Sequence, residues 1–168
     1  ETQKREFKTH TGTYKGKRLT VMSTGIGPDN IDIVMNELDA LVNIDLETRE
    51  VKKDVKSLNI IRVGTSGSLQ GDVPVDSFVL STHGLDLNGM LHFYQIDPIC
   101  NPEIEDAFIS HTNWHKDKAR PVIIGNSKKL ENLLDSSKVY KGVTATAGGF
   151  YGPQGRVLRL PLFDDEMN

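Results

Sequence analysis

The sequence predicts an α/β domain with a mixed, largely parallel sheet flanked by helices. Strand and helix signals alternate along the chain, and glycine-rich turns end several apolar runs. Residues 28–42 carry the clearest helix signal, because Ile31, Val34, Leu38 and Leu41 recur at helical spacing. Strands that alternate with helices favour a sheet covered on both faces.

Composition and charge exclude several classes of protein. A chain of 168 residues with 37% hydrophobic and 26% charged residues is ordinary for one α/β domain, so we expect a single domain over residues 1–168. The net charge of −3 gives no electrostatic case for binding nucleic acid or an anionic membrane. Cys100 is the only cysteine, which excludes a disulfide framework. Without a membrane-length apolar run or a signal peptide, we expect a cytoplasmic protein.

The order of the elements locates the loops that can bind a ligand. Strands are predicted over residues 18–22, 59–63, 77–81, 122–125 and 142–147, and helices over 28–42, 103–114 and 128–134. Residues 45–56 are predicted to be a charged insertion or an exposed helix without chemistry. Ligands of α/β sheets lie beyond the carboxyl ends of strands. The loops after Met22, Val63 and Ala147 are therefore the candidate sites.

The loop at residues 62–67 (RVGTSG) places a charge at the end of an apolar run. A buried guanidinium is costly unless an anion or a carboxylate meets it. Thr65 and Ser66 add hydroxyls, and the flanking glycines let backbone amides approach a ligand. Two readings are equally compatible with this loop: an oxyanion or phosphate site that contains Arg62, or a strand-edge arginine paired with a carboxylate.

The loop at residues 150–156 (FYGPQGR) combines an aromatic ring, an amide and a guanidinium. A nucleobase needs such a set, because Phe150 offers a ring to pack on and the other two groups match a base edge. Gln154 can accept from a ring N–H while donating to the adjacent carbonyl, and Arg156 only donates. Uracil presents that pattern. The structural alternative is a surface turn with one buried phenylalanine.

Four segments in order resemble the signatures of uridine phosphorylases, within the wider nucleoside phosphorylase family. They are residues 5–7 (REF), 23–27 (STGIG), 62–67 and 150–156, and residues 91–93 (LHF) also look similar. The loop with glutamine and arginine separates uridine phosphorylases from their purine-cleaving relatives. The resemblance implies a nucleoside phosphorylase-like fold and a glycosyltransferase that splits uridine into uracil and ribose 1-phosphate in pyrimidine salvage.

The resemblance also implies a phosphate site shared between subunits. Arg62 and Thr65 would hold inorganic phosphate and act in catalysis, and Arg5 would reach the phosphate of a neighbouring subunit. We therefore expect a homo-oligomer built from dimers with shared active sites. No cofactor is implied beyond phosphate as co-substrate. Glu6 and Ile26 match positions that in some relatives help hold a monovalent cation between subunits.

The same resemblance assigns the base site to the later loop. Gln154 and Arg156 would hold the uracil edge, with Arg156 also acting in catalysis. Phe150 would pack on the base, and Gly67 would line the pocket.

The sequence departs from the family at both ends. The Gly-Asp-Pro loop of the family's amino-terminal strand is absent, as is the later Met-Glu pair that grips the ribose, so we expect this chain to be the central part of a longer domain, cut at both edges. Glu166 and Met167 fall too early and in the opposite order to be that pair. Alternative functions are a purine nucleoside phosphorylase, a nucleosidase and a non-catalytic nucleoside-binding relative.

Other polar residues carry weaker signals. His111 and His115 are four apart on a predicted helix, but no general-base glutamate or third ligand accompanies them, so we expect no metal site. His83, Asp86 and His92 lie near a strand end and are predicted to be structural or at the rim of the pocket.

Overall fold

The computed structural model describes residues 1–134 and 136–163 and contains two compact units, Glu1–Ile60 and Ile61–Asn168. Within the described residues, the first unit combines a three-stranded sheet with one helix and the second combines a three-stranded sheet with several, which confirms the predicted α/β class. Residues 164–168, where a cut edge was expected and where Glu166 and Met167 lie, are outside the described residues.

The sheet of the first unit is an antiparallel meander of neighbouring strands. Its strands are β1 (Thr2–Lys4), β2 (Phe7–Tyr14) and β3 (Lys17–Met22), paired in the order β1-β2-β3. Lys15 and Gly16 have φ angles of 47° and 76°, as the tight turn of a hairpin requires. The strand predicted over residues 18–22 is confirmed as β3. Sequence patterns missed β1 and β2 because both strands are largely exposed and carry almost no apolar alternation.

Helix α1 (Pro28–Asn43) confirms the helix predicted over residues 28–42. Its start is well defined: Gly27, at φ 106°, is the N-cap, and Pro28 occupies the first turn, where a missing amide has no consequence. Asp29 in the same turn interacts favourably with the positive end of the helix dipole. The well-defined start of α1 therefore fixes the end of the 23–27 loop that precedes it.

The charged segment 45–56 is a loop tied to the end of α1, so of the two predictions for it the exposed helix is wrong. Asn43 is buried, and its side chain bonds both backbone groups of Lys56, with Oδ1 2.8 Å from N and Nδ2 3.1 Å from O. The Lys52 amide donates to the Asn43 carbonyl at 2.7 Å. At its tip, amide donation from Thr48 and Glu47 lowers the pKa of Asp45. One buried amide thus closes the segment.

The sheet of the second unit is mixed and has the order β5-β4-β6. Its strands are β4 (Val79–Asp86), β5 (Val122–Gly125) and β6 (Tyr140–Thr146). Strand β4 pairs with β5 antiparallel and with β6 parallel. The strand predicted over 122–125 is confirmed, and those over 77–81 and 142–147 are confirmed with shifted ends. The carboxyl ends of β4 and β6 therefore meet at one edge, where the 150–156 loop begins.

The strand predicted over residues 59–63 is wrong. No regular structure is present there, and Ile61 and Val63 are 71% and 90% exposed. An apolar run becomes a buried strand only when a partner takes up its backbone groups, and no described strand pairs with this one. The parallel share of the sheet is consequently smaller than predicted.

Helices α2 (Pro102–His111) and α3 (Lys128–Glu131) confirm the two remaining predicted helices, both shorter than the predicted 103–114 and 128–134. Asn113 has a φ of 46°, a left-handed conformation that a helix cannot continue through, so α2 ends before it. The buried carboxylate of Glu105 accepts from the Ile123 amide at 3.0 Å and joins α2 to β5. None of the described helices is long and apolar enough to span a bilayer.

Glu131 provides a pH-dependent contribution to the stability of the second unit. Its carboxylate bonds Lys128 and Lys141, each at 2.8 Å, and these bonds lower its pKa from 4.5 to about 2. A carboxyl group with a lowered folded-state pKa stabilises the fold above its unfolded pKa. That stabilisation is lost as the pH falls from about 4.5 towards about 2.

We therefore expect Glu131→Gln to flatten the acid limb of the stability profile. The free energy of unfolding of wild type and of Glu131→Gln is measured by urea denaturation from about pH 5 to about pH 2, a range that includes both pKa values of Glu131. The control is Glu47→Gln, because Glu47 pairs with no lysine or arginine in the described part of the chain. Parallel profiles for wild type and Glu131→Gln would contradict the assignment.

Candidate functional site

The loop at residues 150–156 is a closed turn that follows the end of β6. A 3-10 turn covers Gly152–Gln154, and the amides of Gln154 and Arg156 both donate to the carbonyl of Tyr151 at 2.9 Å. Gly155 has a φ of 69°, in the left-handed region that glycine enters without strain. Backbone bonds therefore bring the first and last residues of the loop together.

Side chains of this loop form one polar and aromatic face. Arg156 Nη1 donates to the Phe150 carbonyl at 2.9 Å, and its Cζ lies 6.0 Å from the centroid of the Phe150 ring. A guanidinium has five N–H donors, so this bond leaves others for a ligand. The Phe150 ring is 63% exposed, which contradicts the alternative of a surface turn with one buried phenylalanine. Gln154 is half-buried beside them in sequence.

Arg62 folds back over the loop that it begins. A Cβ added to Gly64 would lie 2.9 Å from Arg62 Nη1, so the missing side chain leaves the room that the guanidinium occupies. Arg62 and Thr65 are exposed, and Arg62 makes no ion pair within the described residues, which disfavours the reading of a strand-edge arginine paired with a carboxylate. A Cβ at Gly67 would meet open space. The loop thus presents a cation and hydroxyls to solvent.

Two further motif segments lie together in the first unit. Arg5, at φ 54°, occupies the tight turn between β1 and β2 with its side chain exposed. Ser23 Oγ donates to the Glu6 carbonyl at 2.5 Å. A Cβ at Gly25 would lie 2.8 Å from Glu6 Cγ, so the Glu6 side chain packs on the residue before Ile26. The structure therefore brings residues 5–7 and 23–27 into contact.

The predicted phosphate and base residues are brought together only in part. Phe150 and Arg156 are in contact, whereas Arg62 and Thr65 share no hydrogen bond or ion pair with Gln154 or Arg156 among the described residues. Within that part of the chain, no three His, Cys, Asp or Glu side chains are grouped to hold a metal ion. His111 is exposed on α2.

An apolar cavity of about 400 Å³ lies beside the 150–156 loop, and Phe150, Gln154 and Arg156 do not line it. It is lined by Leu87, Trp114, Lys118, Ala147, Gly152, Pro153, Pro161, Leu162 and Phe163. Its volume suits a small molecule. Its walls carry few polar groups that could orient a base.

Sequence analysis named Asp86 but missed Asn88, whose side chain contacts the start of the loop. Asn88 Nδ2 donates to the Thr146 carbonyl at the end of β6, at 3.3 Å, and to Asp86 Oδ1 at 2.8 Å. A Cβ at Gly148 would lie 2.6 Å from Asn88 Oδ1. Polar residues after a strand were the available signal, but only pairing of β4 with β6 reveals which loop they contact. Of the other residues noted there, His92 Nε2 lies 2.7 Å from the Arg120 carbonyl and is structural.

The chain belongs to the phosphorylase superfamily, whose family model matches residues 1–166. This match covers both compact units and all of the predicted site residues. It confirms the resemblance to nucleoside phosphorylases at the level of the family.

Individual relatives differ in the base that their names specify. A crystal structure of a Trypanosoma brucei nucleoside phosphorylase that shows uridine phosphorylase activity matches with a TM-score of 0.75 and 29% identity, over 92% of this chain and 57% of that one. DeoD-type purine nucleoside phosphorylases of Clostridium perfringens and Clostridium novyi are 42% and 39% identical over 72 and 89 residues, which is 43% and 48% of this chain. The matches span only 25% and 33% of those two enzymes.

The conformation of Gly155 predicts a difference between two glycines of the loop. An L-residue in the left-handed region costs about 1–2 kcal/mol, so Gly155→Ala should lower the free energy of unfolding by about that amount. Gly152→Ala is the matched control, because its Cβ would make an ordinary 3.4 Å contact with Leu162. Urea denaturation measures both variants. Equal losses would show that the loop does not hold residue 155 in this conformation.

Proposed function

We propose that this protein cleaves uridine by phosphorolysis to uracil and ribose 1-phosphate. The main support is the closed turn that contains Gln154 and brings the Arg156 guanidinium onto exposed Phe150. Membership of the phosphorylase superfamily and the similarity to the trypanosomal enzyme support the same reaction.

Phosphorolysis exchanges a C–N bond for a C–O bond and needs no cofactor beyond phosphate. A phosphate oxygen attacks C1′ of the ribose while the bond to the base breaks, and the electron pair leaves with uracil. Arg62 and Thr65 hold the phosphate in this proposal. Supporting this role, the Arg62 guanidinium is exposed and lies over Gly64, with no ion pair in the described residues to neutralise it.

The departing base is the second electrostatic problem. Charge grows on the uracil carbonyl oxygens as the C–N bond breaks, and donors aimed at those oxygens stabilise the transition state. One such donor is typically worth about 3–4 kcal/mol. Arg156 supplies donors in a fixed fork, because its bond to the Phe150 carbonyl anchors one nitrogen. Gln154 accepts a hydrogen bond from the ring N–H and donates one to the adjacent carbonyl. Phe150 and Gly67 line the site.

A neighbouring subunit completes the phosphate site in this proposal. Arg5 projects from the exposed turn between β1 and β2, where a second copy of the chain can reach it. The oligomer is then built from dimers with shared sites. A monovalent cation between subunits is proposed at Glu6 and Ile26, supported by the packing of Glu6 on Gly25.

A purine nucleoside is the second candidate substrate. This alternative has one specific observation in its favour, the identity of 42% and 39% to DeoD-type purine nucleoside phosphorylases. Those matches cover less than half of this chain, whereas the match to the trypanosomal enzyme covers 92% of it. We therefore rank uridine first.

The phosphate assignment predicts that uridine is consumed only when phosphate is present, with ribose 1-phosphate as product. Arg62→Ala should raise the KM for phosphate at least about tenfold, because a charged hydrogen bond is worth on the order of 1.5–3 kcal/mol. Arg18→Ala removes another exposed arginine, from β3, and serves as control. Turnover in phosphate-free buffer would indicate a hydrolase. Equal effects of the two variants would remove Arg62 from the site.

The base assignment predicts strong rejection of cytidine. Cytosine has an acceptor where uracil has a ring N–H, and it turns an amine towards Arg156, which has no acceptor to offer. Sites built around a substrate's hydrogen bonds discriminate by roughly 10⁴ when those bonds go unmade. Values of kcat/KM for uridine, cytidine and inosine measure this preference. Faster cleavage of inosine than of uridine would favour the purine alternative.

Two variants of the loop test the same assignment from the side of the protein. Gln154→Glu keeps the shape but replaces a donor with an acceptor, and Arg156→Ala removes the fork. Each should lower kcat/KM for uridine by about 10²–10³, as loss of one transition-state donor does. Residual cytidine cleavage should change far less. Equal losses on both nucleosides would mean that the loop does not read the base.

A further inference from the structure

A small polar cluster lies where the parallel strands β4 and β6 end. Asp86 and Thr146 are the last register partners of the two strands. The Thr146 carbonyl accepts from the Leu87 amide at 3.0 Å and from Asn88 Nδ2 at 3.3 Å. The end of β6 is therefore held by residues that follow β4.

Asp86 fixes the orientation of the Asn88 side chain. Its Oδ1 accepts from the Asn88 backbone amide at 2.9 Å and from Asn88 Nδ2 at 2.8 Å. A carboxylate only accepts, so the nitrogen of the amide must face Asp86 and the oxygen must face away. Asn88 Oδ1 then points at Gly148, where an added Cβ would lie only 2.6 Å away.

Asn88 Oδ1 is itself buried and has no hydrogen-bond partner among the described residues. Buried polar atoms normally find a partner, so an oxygen held in this position calls for an explanation. It stands directly against Gly148, in the segment that leads from β6 into the 150–156 loop. Gly149 continues that close packing, since its Cβ would lie 3.0 Å from Pro153 Cγ.

We propose that Asn88 is a positioning residue for base recognition. It holds the Thr146 carbonyl with its nitrogen and sets the path of residues 148–149 with its oxygen, and the direction in which the loop leaves β6 determines where Gln154 and Arg156 meet the base. This inference rests on the proposed function, because it takes the 150–156 loop as the base reader. Asn88 touches no reacting atom in this role.

Asn126 is a matched residue for the test. Its Nδ2 also donates to a backbone carbonyl, that of Ser81, at 3.1 Å, and its Oδ1 is also buried without a partner in the described residues. It follows β5, which runs antiparallel to β4, and so lies away from the end of β6. Loss of either side chain removes a hydrogen bond to a backbone carbonyl of the same sheet, and Asn126→Ala also removes a bond to the Glu131 carboxylate. Only Asn88 contacts the path into the loop.

The first experiment compares Asn88→Ala with Asn126→Ala in the full chain. Displacing a substrate-orienting group by about 1 Å can cost on the order of 10²-fold in rate. We expect Asn88→Ala to lower kcat/KM for uridine by at least about tenfold and to narrow the preference for uridine over cytidine, with the KM for phosphate unchanged. Asn126→Ala should leave kcat/KM for uridine, the preference for uridine over cytidine and the KM for phosphate within about twofold of wild type. Equal changes in both variants would overturn the inference.

A second experiment asks whether Asn88 and Gly148 act on each other. Gly148→Ala places a methyl group against an oxygen that Asp86 prevents from moving away, so kcat/KM for uridine should fall. In an Asn88→Ala background that oxygen is gone, and the same change should have much less effect. Gly142→Ala is the control, because its Cβ would meet no atom within 4 Å. Independent effects of the Asn88 and Gly148 substitutions would contradict the proposed contact.

Amide hydrogen exchange separates failure of this inference from failure of the proposed function. Asn88→Ala should speed the exchange of the amides of Gln154, Gly155 and Arg156, which donate to carbonyls within the loop, and Asn126→Ala should not. If the two variants exchange as expected but the wild-type protein does not cleave uridine, the proposed function is overturned and the contact between Asn88 and the path into the loop is kept. Active wild type with equal exchange and equal kinetics in the two variants overturns the positioning role alone.

Discussion

The parallel pairing of β4 with β6 is the interaction on which the candidate site depends. It joins segments about 60 residues apart in sequence and aligns Asp86 with Thr146 at one edge of the sheet. The loop with Phe150 and Arg156 leaves from that edge, so the strand that precedes this loop is itself held by β4. A weaker or shifted ladder would move the whole 150–156 loop.

Local sequence patterns predicted the secondary structure correctly where it is determined by residues close together in the chain. The helix from Pro28 followed from apolar spacing and a proline in its first turn. The chemistry assigned to the loop around Gln154 rests on residue types and stays a prediction. The strand predicted from the apolar run at 59–63 is wrong, because burial of a strand depends on a partner that is distant in sequence. The contacts of Asn88 could not be predicted from the sequence for the same reason, since they depend on the β4–β6 register.

The two units distribute the family's motifs in pairs. The first unit holds the turn at Arg5 and the 23–27 loop in contact through Ser23, and the second holds the loops of Arg62 and Arg156. Charge is arranged similarly in both loops of the second unit. Each presents a guanidinium that folds onto its own backbone, over Gly64 in one case and onto the Phe150 carbonyl in the other. Such arginines are partly preorganised before any anion or carbonyl arrives, which reduces the entropy lost on binding.

The hairpins of the first unit bear on the order in which the chain acquires structure. Strands β1, β2 and β3 pair only with their neighbours in sequence, across turns of two residues such as Lys15-Gly16. The β4–β6 ladder instead requires closure of a long loop, and contacts of large sequence separation form slowly. During synthesis, the meander can therefore be complete before β6 has left the ribosome, and the 150–156 loop reaches its place later than the meander does.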